Sequence, residues 1–142
     1  MKKIEIMIVD DNEILQFLEN TIIAMSGMGE NNPAFANGRE ALSYLNNRPE
    51  SNEPVLVLLD INMPVMDGWE FLEALPAVEG NENVYVAIVT SSVDDADRKK
   101  SLNYPHVLEY LEKPIKEESL KRVEKALLAK LQGESRYCLT IE

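Results

Sequence analysis

Apolar and polar positions follow two rhythms along this chain, and the switches between them predict five strand–helix units. Ile4-Glu5-Ile6-Met7-Ile8-Val9 is mostly apolar, a central strand, and it runs into Asp10-Asp11. Residues 13 to 25 place Ile14, Leu15, Leu18, Ile22 and Met25 at helical spacing, which predicts a helix with that face inward, capped by Asp11 or Asn12 and broken at Gly27 and Gly29. Pro33-Ala34-Phe35-Ala36 predicts a weak second strand at an edge, and Gly38 to Asn46 a short helix with Ala41, Leu42 and Leu45 inward. After the polar loop 46–54 comes Val55-Leu56-Val57-Leu58-Leu59, an unbroken apolar run that reads as a strand buried on both faces and ends at Asp60.

The second half repeats the theme. Asp67-Gly68 opens a helix carrying Trp69, Leu72 and Leu75, which stops at Pro76. Val84 to Val89 is a fourth strand, leading to Thr90-Ser91-Ser92. Residues 94 to 102 form a helix capped by Asp94 or Asp95 with a thin apolar face, Ala96 and Leu102, expected to be mobile. Val107 to Leu111 is the fifth strand, followed by Lys113-Pro114, and Leu120, Val123, Leu127 and Leu131 mark a long amphipathic helix. Lys116 leaves that helix without a side-chain cap, while Glu117 and Glu118 complement its dipole. Strands alternating with helices predict a single parallel sheet covered on both faces. Residues 1–131 are expected to form one domain and residues 132–142 a tail, with no output domain.

Composition narrows the class without naming a function. A chain of 142 residues buries a core without staples, and 45% hydrophobic with 27% charged residues is ordinary for a globular protein. A net charge of -11 argues against nucleic-acid binding and against docking on an anionic membrane. One cysteine, Cys138, excludes an internal disulfide and fits a reducing cytosol; no signal peptide or spanning segment is evident, so a cytoplasmic protein is expected.

The polar residues that end four strands carry the chemistry: Asp10 and Asp11, Asp60, Thr90, and Lys113. In a parallel sheet all those ends lie on one edge, so residues distant in sequence converge. Three carboxylates gathered there need a proton or a cation between them. A hard divalent ion with few protein oxygens and room for water is Mg²⁺. With Lys113 as a fixed positive charge and Thr90 as a hydroxyl donor, Asp60 is equipped to accept a phosphoryl group by in-line attack.

Asp10-Asp11, the Asp60 strand with Asn62-Met63-Pro64 and Asp67-Gly68, Thr90-Ser91 and Lys113-Pro114 resemble the receiver domain of two-component response regulators, from about Lys3 to Leu131. The resemblance implies a flavodoxin-like (βα)5 three-layer sandwich with strand order 2-1-3-4-5. It implies Asp60 as phosphoacceptor and Mg²⁺ on Asp11, Asp60 and the Asn62 carbonyl, with Asp10 acting through a water. Thr90 and Lys113 would hold phosphoryl oxygens with the backbone amides of Asn62 and Ser91. Tyr110 would be the switch aromatic beside Thr90, Asn62 and Ser92 would tune the phosphoaspartate lifetime, and the Lys113-Pro114 bond is often cis in the family. The implied partners are a sensor histidine kinase or histidine phosphotransfer protein and a downstream protein target, with neither nucleic acid nor membrane. One departure is visible: Leu102-Asn103-Tyr104-Pro105-His106 stands where the family often has a Gly-Ala turn, which bears on the partner-binding face.

Singly, each residue has an ordinary explanation. Asp10-Asp11 is a helix cap, Asp60 a turn residue, Thr90 a strand-end cap, Lys113 a solvated lysine and Tyr110 a core aromatic. His106 reads as a loop residue, Cys138 as an inert thiol, and Arg136 to Glu142 as a frayed tail or an added edge strand. Among whole-chain alternatives, a phosphorelay intermediate uses the same site. A phosphatase of the haloacid-dehalogenase type wants an aspartate where Asn62 stands, and an interaction module without phosphorylation would not need every acceptor-site residue.

Overall fold

The computed structural model describes residues 4–48, 53–92 and 94–131. The tail 132–142, with Cys138, and residues 49–52 of the polar loop lie outside the described residues. The elements are β1 (Glu5–Val9), α1 (Glu13–Met25), β2 (Ala34–Phe35), α2 (Gly38–Asn46), β3 (Val55–Leu59), α3 (Gly68–Ala74), β4 (Val84–Thr90), α4 (Asp95–Ser101), β5 (Val107–Glu112) and α5 (Glu117–Lys130). All strand pairs are parallel, in the order β2-β1-β3-β4-β5, which is the flavodoxin-like arrangement expected.

Alternate side chains of each strand enter opposite layers. Ile6, Ile8, Leu56, Leu58 and Val89 pack with Ile23 of α1 and Leu120, Val123 and Leu127 of α5. Met7, Val9, Val57, Leu59 and Ile88 pack with Ala41 of α2 and Phe71 and Leu72 of α3 on the other face. β3 is buried at every position, as its unbroken apolar run requires. Between Val86 and Ala87 the β4–β5 register slips, Val86 facing Val107 and Ala87 facing Glu109, and beyond that bulge Tyr110 lies beside Ile88.

Two helix faces, those of α1 and α4, differ from expectation. On α1, Ile14 (71% exposed), Leu18 (46%) and Met25 (78%) face outward with Phe17 (70%), and the buried residues are Glu19 and Ile23. The helix has more apolar residues than one face can hold, so spacing alone could not select the stripe that packs. On the inward side Ile23 packs in the core and the Gln16 side-chain amide donates to the Asp10 carbonyl at 2.6 Å. On α3 the expected Leu72, and Leu75 just beyond it, are buried and Trp69 is half-buried, with Phe71 as a further fully buried side chain. On α4 both Ala96 and Leu102 are exposed, and Ser101 is the one buried residue of the helix.

Glu19 is 3% exposed, and no hydrogen bond to its carboxyl occurs among the described residues. Burial, then the charge of Asp10, push it up to about 8; Lys113 opposes this and Asp60 adds to it. The folded state therefore holds a proton that the unfolded chain has released above 4.5. The contribution of this group to stability falls as pH rises from about 4.5 to about 8, by linkage on the order of 5 kcal/mol. Urea midpoints at pH 5, 6.5 and 8 without divalent ions should decline more steeply in the parent protein than in Glu19→Gln. Equal slopes in the two would refute this account of Glu19.

Candidate acceptor site

β1 and β3 lie side by side, so Asp10 and Asp60 emerge from neighbouring strand ends; the Asp60 amide donates to the Val9 carbonyl at 2.9 Å. Asp11 follows Asp10 onto the exposed rim. Carboxylate oxygens of Asp10, Asp11 and Asp60 lie within 4.8 Å of one another, the convergence expected from sequence. Asp10 and Asp60 are buried.

Lys113 makes that burial tolerable. Its ammonium lies 2.7 Å from Asp10 Oδ2 and 3.3 Å from Asp60 Oδ2. Asp10 Oδ2 has no well-oriented hydrogen bond among the described residues, so the ion pair at 2.7 Å is its compensation. Asp10 Oδ1 accepts the Asn12 amide at 2.9 Å, and Asp60 Oδ1 accepts the Asn62 amide at a long 3.4 Å. Burial and then Asp10 hold the Asp60 carboxyl above its ordinary range, while Lys113 and the Asn62 amide pull it down. Burial works against the charged form of Lys113. Its close contact with Asp10 and the charges of Asp60 and Asp10 outweigh that and hold it above its ordinary value.

The loop from Asp60 to Gly68 is tightly built. The Gly68 amide donates to the Ile61 carbonyl at 2.8 Å, and a Cβ on Gly68 would lie 2.6 Å from the Asp60 carbonyl oxygen. Gly68 is needed for this close approach, a role the Asp-Gly turn signal did not reveal. Asp67 and Glu70 form a capping box on α3. Val65 has φ 68°, and the Met66 amide closes a tight turn onto the Pro64 carbonyl at 2.7 Å.

Thr90 is fully buried at the end of β4, and its carbonyl accepts the Lys113 amide at 2.8 Å. Its hydroxyl accepts the Ser92 amide at 3.2 Å, and among the described residues no hydrogen bond joins it to Asp60. Ser92 is a junction that sequence reasoning missed: its hydroxyl donates to Asp97 of α4 at 2.8 Å and its carbonyl accepts the Tyr110 hydroxyl at 3.3 Å. A serine shortly before an Asp-rich helix start was the available signal. Tyr110 is buried, and Arg98 of α4 stands 4.8 Å from its ring centre. Asn62 and Ser91 are exposed at the site's mouth, and the Lys113-Pro114 bond is cis.

These acids fit a hard divalent cation: three carboxylates converge, one oxygen relies on a single ion pair, and the exposed Asp11 leaves a side open to water.

The response regulator receiver domain model matches residues 6–124. The chain is 31% identical over 119 residues to the probable methanogenesis regulatory protein FilR2 of Methanothrix harundinacea, covering 82% of this chain and 76% of that one. It spans between 8% and 41% of the length of other curated relatives that it matches. Among solved structures it is similar to a two-component response regulator from Cytophaga hutchinsonii, with TM-score 0.75 and 28% identity over 89% of this chain and 98% of that one. It is also similar to the receiver domain of sensor histidine kinase PA1611 from Pseudomonas aeruginosa PAO1, with TM-score 0.67 and 25% identity over 84% and 92%. That domain has a magnesium ion coordinated in its active site cleft. With 119 of its residues matched by the family model and the acid–lysine pocket assembled at the strand ends, the chain belongs to the response regulator receiver domain family.

Proposed function

We propose that this chain accepts a phosphoryl group from a phosphohistidine onto Asp60. The observation that carries the reading is the Lys113 ammonium set between Asp10 and Asp60 beside the three-carboxylate cluster. A side-chain oxygen of Asp60 attacks phosphorus in line, the P–N bond of the donor breaks, and its electron pair returns to the imidazole. Lys113 holds a phosphoryl oxygen that gains charge, with the Thr90 hydroxyl and the amides of Asn62 and Ser91 as further donors. Asp11, Asp60 and the Asn62 carbonyl would hold Mg²⁺, with Asp10 behind a water. When bound, that ion neutralises the acids and the charge on the transferring group.

The donor is a sensor histidine kinase or a histidine phosphotransfer protein. The outward stripe of α1 supports this, because Ile14, Phe17 and Leu18 begin just beyond the Asp11 rim. A donor helix that brings its histidine to Asp60 covers that stripe, and each such side chain fully buried contributes roughly 1.5–3 kcal/mol. Output runs through the Thr90–Ser92–Tyr110 connection to α4 and β5. Tyr110 is already inward, so phosphorylation would stabilise that arrangement rather than create it. A cytoplasmic signalling receiver fits this reading.

Incubation with Mg²⁺ and acetyl phosphate should add one phosphoryl group by intact mass, and Asp60→Asn should add none. No addition to the parent, or an equal one to the variant, refutes Asp60 as acceptor. Ile14→Ser combined with Phe17→Ser should leave the acetyl phosphate reaction unchanged. Transfer from a phosphohistidine protein should slow by about tenfold or more, as expected when interface anchors are lost. Unchanged transfer would remove α1 from the donor interface.

A further inference from the structure

The apolar layer between the sheet and the helices α1 and α5 holds one carboxyl that the acceptor chemistry does not use. Glu19 is 3% exposed, and no hydrogen bond or ion pair to its side chain occurs among the described residues. On α1 it stands three residues after Gln16, whose side-chain amide reaches the Asp10 carbonyl, and four before Ile23, which packs in that layer. The strands bring the acceptor pocket to the same face. Ile6 and Ile8 enter this layer and Asp10 is next in their row; Leu56 and Leu58 are followed by Asp60, and Leu111 by Lys113. Glu19 thus lies behind the acid–lysine cluster, where the pocket meets the hydrocarbon of the core.

An acid in that place works against stability. Burial without a partner disfavours its charged form, whereas an aliphatic side chain there would continue the packing of Ile23. The charges acting on Glu19 are Asp10 from β1, Asp60 from β3 and Lys113 from beyond β5. From α5 the layer receives Leu120, Val123 and Leu127, with Glu124 half-buried next to Val123. Burial and the two aspartates outweigh Lys113, so Glu19 keeps its proton at neutral pH. The same position makes it respond to any change of charge in the pocket, because a buried group is little screened. A divalent cation on Asp11 and Asp60 opposes the field that keeps the proton in place. Conflict with local stability beside a reacting group is the kind of departure that marks a working residue.

We infer that Glu19 is a reserve acid of the cation site. It is neutral while the carboxylates in front of it are without an ion, and it gives up its carboxyl proton when a divalent ion is held by Asp11 and Asp60. The O–H bond breaks, its electron pair stays on oxygen, and the proton passes to solvent. Glu19 then offsets part of the ion's charge from behind Asp10. The linkage is reciprocal: a cation that ionises Glu19 is itself bound more tightly as pH rises. The inference deepens the proposed acceptor reading and rests on it for the place of the ion.

The test is calorimetric titration of the full chain with Mg²⁺ at pH 7 in two buffers of different ionisation heat, which counts protons released per ion. The parent should release about half a proton to one proton more than Glu19→Gln. From pH 6 to pH 8 its Mg²⁺ affinity should rise by about tenfold beyond any rise in the variant. Asp60, also held above its ordinary range, titrates in both chains, so the difference belongs to Glu19. A urea transition verifies that the variant folds. The parent alone gives a second reading: with ¹³C at its glutamate carboxyl carbons, a signal protonated at pH 7 should move to the ionised position as Mg²⁺ saturates. No Mg²⁺ binding, equal proton counts in the two chains, or a signal that stays protonated at saturation would overturn the inference. Acetyl phosphate treatment with intact mass separates the two readings. Phosphate on Asp60 with equal proton counts ends this inference alone. Proton release that depends on Glu19, without phosphate on Asp60, ends the acceptor reading alone.

Discussion

One ammonium between two buried carboxylates is the constraint that the remainder of the molecule serves. β5 is separated from β3 by one strand and from β1 by two. At about 4.8 Å per strand, Lys113 must reach across roughly 10 Å to meet Asp60 and further to meet Asp10. A four-carbon stem can do that only from a well-placed starting point. The Thr90 carbonyl supplies it by holding the Lys113 backbone amide at 2.8 Å. The lysine then satisfies Asp10 more closely than Asp60, at 2.7 against 3.3 Å. Asp60 is thus left as the less neutralised of the two inner acids.

How much of this was legible depended on which physical rule governed each part. The acid–lysine pocket was readable because parallel strands deliver their last residues to one edge, whatever the packing below. The sheet was readable because five-residue apolar runs such as Val55 to Leu59 admit few alternatives. α1 was not, because Ile14, Phe17, Leu18 and Met25 compete with Leu15, Ile22 and Ile23 for the inside and only tertiary contacts choose between stripes. Glu19 escaped notice because a glutamate within a helix is ordinarily solvated. Phe71 was overlooked beside Trp69, whose larger ring is the less buried of the two. The role of Ser92 depends on atoms from three elements, which no local pattern encodes.

The two sides of the pocket are built differently. On the β3–α3 side, Gly68 packed on the Asp60 backbone, the capping box and the left-handed Val65 define one loop conformation. A β-branched residue is costly in that region, so the surrounding contacts must impose it. On the α4 side, one buried serine, the Ser92–Asp97 bond and a guanidinium over a ring do the holding. Polar contacts at a surface exchange readily with water, whereas interdigitated apolar side chains do not. Rearrangement is cheap where α4 sits and expensive where Asp60 is seated.

Trp69 lies on the boundary between those regimes. Its ring stacks 5.8 Å from that of Tyr104, beneath the Lys100 ammonium at 4.5 Å, and Tyr104 is tied back to Glu73 at 2.7 Å. It is the single tryptophan of the chain. Indole emission depends on nearby charge and on aromatic neighbours, so the molecule carries an intrinsic optical gauge at the seam between its rigid and yielding halves. The posture of α4 is written into its ultraviolet fluorescence without any label.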